Sequence, residues 1–87
     1  MELTIHYAKK FQKEFKRAPI SVREKAVERI KELHAGAHNP LMDIHPLHGE
    51  YFCFKSCNVT GDWRIIYRIV GEVLELARLG THPQLYG

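Results

Sequence analysis

The chain has 87 residues, 45% hydrophobic and 26% charged, with a net charge of +3. That is room for one small domain over residues 1–87, with enough apolar content to exclude disorder and no apolar run long enough to cross a membrane. The mild positive charge favours a polyanionic partner such as nucleic acid.

Residues 2–7 alternate, with Leu3, Ile5 and Tyr7 against Glu2, Thr4 and His6. This period of two predicts a short strand with one buried face. The start Met1-Glu2-Leu3-Thr4-Ile5 lacks the charged-then-apolar build of a secretory leader, so a cytoplasmic location is expected. The period then changes. Ala8, Phe11, Phe15 and Ala18 fall at helical spacing, with Lys9, Lys10, Lys13, Lys16 and Arg17 on the remaining faces, and Pro19 stops this helix. Ser21-Val22-Arg23-Glu24 reads as a capping box opening a second helix. Its apolar stripe is Val22, Ala26, Val27, Ile30 and Leu33, and Gly36 is its expected stop.

Residues 37–48 have no strong period, and Asn39-Pro40 and Pro46 predict an irregular loop. Tyr51 to Ser56 is strand-like, Thr60-Gly61 is a turn, and Trp63 to Val70 is a second strand. Gly71-Glu72 is a hairpin turn, and Val73 to Leu79 a third strand. Cys53 and Cys57 on one strand would stand roughly 13 Å apart, too far for a disulfide, so both are expected as free thiols. The element order β-α-α-β-β-β predicts an α+β fold: a small antiparallel-rich sheet with the N-terminal helical hairpin on one face.

The segment after the last strand, Gly80-Thr81-His82-Pro83-Gln84-Leu85-Tyr86-Gly87, is too rich in apolar and chemically useful residues for a disposable tail. His45 lies in the loop before the hairpin strands, Asp62 at a turn and His82 after the last strand. Strand ends and loops are where a rigid scaffold presents functional groups. Imidazole titrates near neutrality, so two histidines and a carboxylate supply a base and an acid for RNA cleavage through the 2′-hydroxyl. Lys55, Arg64, Arg68 and Arg78 are cations available to offset charge on phosphorus, and Trp63 and Tyr86 are rings able to stack on bases.

Each of these also has a plainer reading. Arg64 and Arg68 alternate with apolar residues, as on any solvent face. Trp63 is expected as core, Tyr86 as a tail anchor, and His6, His34 and His38 as surface residues. His45, His48, Cys53, Cys57 and His82 include zinc ligand types, but not at a zinc-site spacing, and no metal or other cofactor is expected.

Three stretches together resemble the RelE/ParE toxin superfamily, closest to its YafQ branch. They are His45-Pro46-Leu47-His48-Gly49, Val59 to Tyr67 with Asp62-Trp63 at the turn, and Leu79 to Gly87 with Gly80-Thr81-His82 and a late aromatic residue. The resemblance implies the toxin of a type II toxin–antitoxin pair, a ribosome-dependent endoribonuclease that cuts translated mRNA without metal. It implies catalytic roles for His45, Asp62 and His82, and leaves open which is base and which is acid; the preferred assignment is His82 as acid with His45 or Asp62 as base. The resemblance also places Tyr86 among the functional residues and Trp63 and Arg78 at family positions near the site; Lys55 and Asn58 are expected as further RNA contacts, Lys55 with Arg78 on phosphate. The implied partners are a cognate antitoxin, the ribosome and mRNA, with operator DNA bound through the antitoxin and no membrane. One position departs: the branch has a histidine where this chain has Asn58, which cannot exchange a proton near neutrality. The alternatives are a ParE-like binder that inhibits DNA gyrase and a catalytically weakened antitoxin-binding module.

Overall fold

A computed structural model describes residues 3–37 and 39–86 of the chain. Strand β1 (Thr4–Tyr7) leads into helices α1 (Lys9–Arg17) and α2 (Ile20–Ala35). Strand β2 (His45–Pro46) is followed by β3 (Lys55–Thr60), β4 (Trp63–Val70) and β5 (Val73–Thr81), and a short helix α3 (His82–Tyr86) comes after. The strands form one sheet in the order β1-β5-β4-β3-β2. Its pairs are antiparallel except β1 with β5, which run parallel with Thr4 opposite Val73.

The two predicted helices form, and their apolar stripes meet the sheet. Phe11 and Ala18 of the first stripe are buried with Val22, Ala26, Ile30 and Leu33 of the second, against Ile65, Tyr67, Leu74, Leu76 and Leu79. Val27 is the exception at 39% exposed. The helix boundary differs from the expected capping box. Ala18 is extended (ψ 150°), as a residue before proline must be, and Pro19 is itself the N-cap of α2. Ser21 therefore lies inside the first turn, and no side chain caps this end. At the other end Gly36 takes the left-handed conformation (φ 72°) and stops the helix as expected.

Three further expectations are corrected. The stretch Tyr51 to Phe54 is a 3-10 turn and loop, and the strand begins at Lys55. The two cysteines therefore do not share a strand: Cys53 is exposed in a left-handed turn (φ 78°), while Cys57 is buried in β3. Both are free thiols, and burial pushes that of Cys57 up to about 11, which makes it a core residue and not a nucleophile. His34 is half-buried, its ring 2.7 Å from the Leu3 carbonyl, whereas His6 is exposed. Glu2, His38 and Gly87, which figure in the sequence reading, lie outside the described residues.

The sheet has two different faces. Ile65, Tyr67 and Cys57 point to the helices. By alternation Ser56, Asn58, Arg64, Ile66 and Arg78 point the other way. The loop before β3 lies across this second face, because the Tyr51 hydroxyl is 2.6 Å from Arg78 on β5, three strands away from β2. Phe54 of the same loop lies under the Arg68 guanidinium, 4.6 Å from its ring centre.

A polar network runs from α2 to this face. Glu32 accepts from Arg29 (2.6 Å) and from Asn39 (3.0 Å). Arg29, only 5% exposed, also donates to the Asn58 carbonyl (3.1 Å). The hydrogen bond from Asn39, then that from Arg29, hold the Glu32 carboxyl below its ordinary value of 4.5. A carboxyl depressed in the folded state stabilises fully above the unfolded value and loses that contribution as pH falls through the folded one. Glu32→Gln should therefore flatten the decline in stability below about pH 4.5. Urea midpoints at pH 7 and pH 3.5 check this: an equal decline in both proteins would mean that Glu32 is not the linked group.

Candidate active site

His45 stands opposite Ser56 at the sheet edge. Its Nδ1 lies 3.0 Å from the Asp43 carbonyl. A carbonyl only accepts, so Nδ1 carries the proton and the neutral ring keeps its lone pair on Nε2. The short strand β2 was not legible in the aperiodic loop, yet it is what fixes His45 to the sheet.

The tail is an ordered helix. Gln84 Oε1 accepts from the Thr81 N–H (2.9 Å), one half of a capping box in Thr81-His82-Pro83-Gln84. The His82 N–H donates to the Asp62 carbonyl (3.1 Å), which ties the helix start to the β3–β4 turn. Leu85 is buried and anchors the helix to the body. The rings of His82 and Tyr86, one helical turn apart, are 4.7 Å between centres. Gly80 makes this docking possible, since a Cβ there would stand 3.2 Å from Leu85 Cδ2 and from Gln84 Oε1.

These elements enclose a cleft of about 460 Å³ lined by His45, Pro46, Leu47, His48, Ser56, Arg64, His82 and Tyr86. The structure thus brings together His45, His82 and Tyr86 of the residues expected from sequence. Asp62 is exposed at its turn and does not line the cleft; its contact with the site is through the backbone carbonyl. Lys55 pairs with Tyr67, which puts it on the helix-bearing face. Trp63 packs on the core and borders a separate hollow with Glu14, Arg17 and Gln84, so it is no base platform in this cleft. Arg78 is bound by Glu14 through Nε (3.0 and 3.1 Å) and Nη2 (2.7 Å), and by Tyr51 through Nη1 (2.6 Å). The Glu14 hydrogen bonds raise its pKa further above the ordinary arginine value. Each of its three nitrogens donates to a side chain of the protein, and Glu14 matches its charge.

The cation of the cleft is Arg64. Its Nη1 donates to Asn58 Oδ1 and to the carbonyls of Gly61 (3.1 Å) and Trp63 (3.3 Å). Arg29, Arg68 and Arg78 are each paired with a glutamate, whereas Arg64 has no carboxylate partner among the described residues. Three neutral acceptors hold one end and leave the charge uncompensated beside the histidines, where it suits a phosphate. Asn58 is a strut here: it accepts from Arg64, and its Nδ2 donates to the Leu41 carbonyl (3.3 Å). From sequence Arg64 is one of four available cations and is not preferred, because an arginine alternating with apolar residues also reads as solvent face. The register opposite Asn58 is what marks it. Among the described residues no group of three or more His, Cys, Asp or Glu is placed to hold a metal ion.

Known proteins share this architecture. Residues 3–87 match the family described as the bacterial toxin of the type II toxin–antitoxin system, YafQ. The mRNA interferase toxin YafQ of Escherichia coli K12 is 29% identical over 89 residues, 95% of either chain. The crystal structure of YafQ from E. coli BL21(DE3) superposes with a TM-score of 0.88 at 24% identity, covering 99% of this chain and 100% of that one. YafQ in the E. coli DinJ–YafQ toxin–antitoxin complex gives 0.86 at 25% identity, with both chains fully covered. The expected α+β architecture and the resemblance are thereby borne out, and the chain belongs to the YafQ family of bacterial type II toxin–antitoxin toxins.

Proposed function

We propose that this toxin is an endoribonuclease that cuts mRNA during translation, with His45 as base, His82 as acid and Arg64 on the scissile phosphate. The observation that carries the reading is the convergence of three imidazoles, those of His45, His48 and His82, and a guanidinium without a carboxylate partner among the described residues on one cleft. His45 Nε2 takes the proton of the ribose 2′-hydroxyl, and the 2′-oxygen attacks the adjacent phosphorus. Arg64 offsets the charge that builds on the phosphoryl oxygens. His82, as imidazolium, protonates the leaving 5′-oxygen, so a 2′,3′-cyclic phosphate and a 5′-hydroxyl result and no metal is needed. Tyr86 supports the His82 ring and offers a face to a base. Asp62 acts by placing the start of α3.

The same reading covers the partners. The E. coli YafQ of the DinJ complex suggests a cognate antitoxin for this chain. The groove lined by Tyr7, Phe11, Phe15, Val27 and Ile30, with Lys16 and Lys31 along it, suits an amphipathic acidic segment of such a partner. Ribosome and mRNA as targets, a cytoplasmic location and operator binding through the antitoxin complete the proposal. No helix of the described residues is long and apolar enough to cross a membrane.

The test is to induce the chain without a partner and map message ends by primer extension. New 5′ ends within translated messages are expected with the wild type and not with His45→Gln. Intact messages under growth arrest would overturn the nuclease reading in favour of a target-binding toxin.

A further inference from the structure

Ser56 is 1% exposed, and its Oγ has no hydrogen-bond partner among the described residues. Buried hydroxyls are rarely left so, and each exception asks for a reason. Its residue is one of those that line the cleft. It stands directly opposite His45 on one side and Ile66 on the other. Opposed residues share a face with Cβ atoms about 4.5–5.5 Å apart, and the diagonal position, here Arg64, is about 7–8 Å away. Ser56 therefore sits between the base and the phosphate-binding cation, with a hydroxyl that no described residue satisfies.

We propose that Ser56 Oγ binds the ribose 2′-hydroxyl of the nucleotide to be cut, and so makes the cleft select RNA over DNA. This rests on the RNA-cleavage reading. For His45 Nε2 to take the 2′ proton, that hydroxyl must lie within hydrogen-bond reach of the ring, hence beside its cross-strand neighbour. Both hydroxyls donate and accept. Ser56 donates to the 2′-oxygen while the 2′ proton points to His45. No covalent step is added. The contact orients the attacking oxygen and strengthens as negative charge grows on it.

Binding of the four nucleoside 3′-monophosphates and their 2′-deoxy counterparts, none of which has a cleavable bond, tests this by NMR titration. The wild type should bind the ribo forms about 5–10-fold more tightly, the range of one hydrogen bond. Ser56→Ala should bind both alike, and Ser56→Thr should keep the preference. Ser56→Ala should also melt at the wild-type temperature or about 2–5 °C above it, since an unsatisfied buried hydroxyl is gone. A ribo preference that survives in Ser56→Ala, or is missing from the wild type, overturns the assignment. The acid–base reading has its own arm: if His82→Ala still cuts message while Ser56→Ala loses the ribose preference, the catalytic assignment fails and this contact stands.

Discussion

His82→Ala, expressed without a partner, leaves cells growing and message intact. The expected loss of cleavage is about 10²–10⁴-fold, the usual cost of removing a general acid. The size follows from the geometry. His82 and His45 both line one cleft, and no other described residue of α3 has a side chain that exchanges protons near neutrality. The ring is exposed, and the helix start is held by backbone and Gln84 hydrogen bonds that alanine keeps. Stability should therefore change by no more than about 0.5 kcal/mol. Far-ultraviolet circular dichroism and a urea melt on the purified variant separate lost chemistry from lost fold. Growth arrest by a folded His82→Ala protein would remove His82 from the mechanism.

Arg78→Leu should do the opposite, reducing stability much more than the chemistry of the protein that remains folded. Arg78 holds Glu14 with a bidentate bridge, and Glu14 Oε1 accepts the Leu79 N–H (3.1 Å) at the margin of β5. Removing the guanidinium leaves a mostly covered carboxylate without its counter-charge, and Tyr51 loses its partner. Breaking a fully buried pair costs about 3–5 kcal/mol. These side chains keep 17% and 23% exposure, so about 2–3 kcal/mol is the fitting expectation, with a melting temperature lower by about 10 °C or more. RNA binding per folded molecule should stay near wild type. A stable Arg78→Leu protein with weakened RNA binding would restore the sequence-based role of Arg78 as a phosphate contact.

The fold was legible where one period dominates. The strand patterns of Leu3–Tyr7 and Trp63–Val70 and the helical spacing of Phe11, Phe15, Ala26 and Ile30 rest on local geometry, and the elements form as expected, although Tyr7 of the expected buried face is 43% exposed. Two features were hidden for different reasons. The motif Ser21-x-x-Glu24 matched a cap in composition, but Pro19 had already begun the helix. The motif Thr81-x-x-Gln84 did cap a helix, one too short to show a period. At the proposed site, His45 and His82 were legible, in a chain with six histidines, because each lies in a loop or tail segment beside a strand. The exchange of roles between Arg78 and Arg64 could not. Both arginines share the same sheet face, and only the positions of Glu14 and Asn58 decide which charge is spent inside the protein. Trp63 reads alike as core or platform until the strand register assigns it a face.

The parallel pairing of β1 with β5 bears on how this protein is made. Thr4 has no strand partner until Val73 has been synthesised, and the wall carrying His82 and Tyr86 follows still later. Closing so long a loop has an entropic cost, and non-local contacts form slowly. The strands that carry His45 and Arg64 are therefore made before the helix that carries His82, and the cleft is incomplete until α3 follows β5.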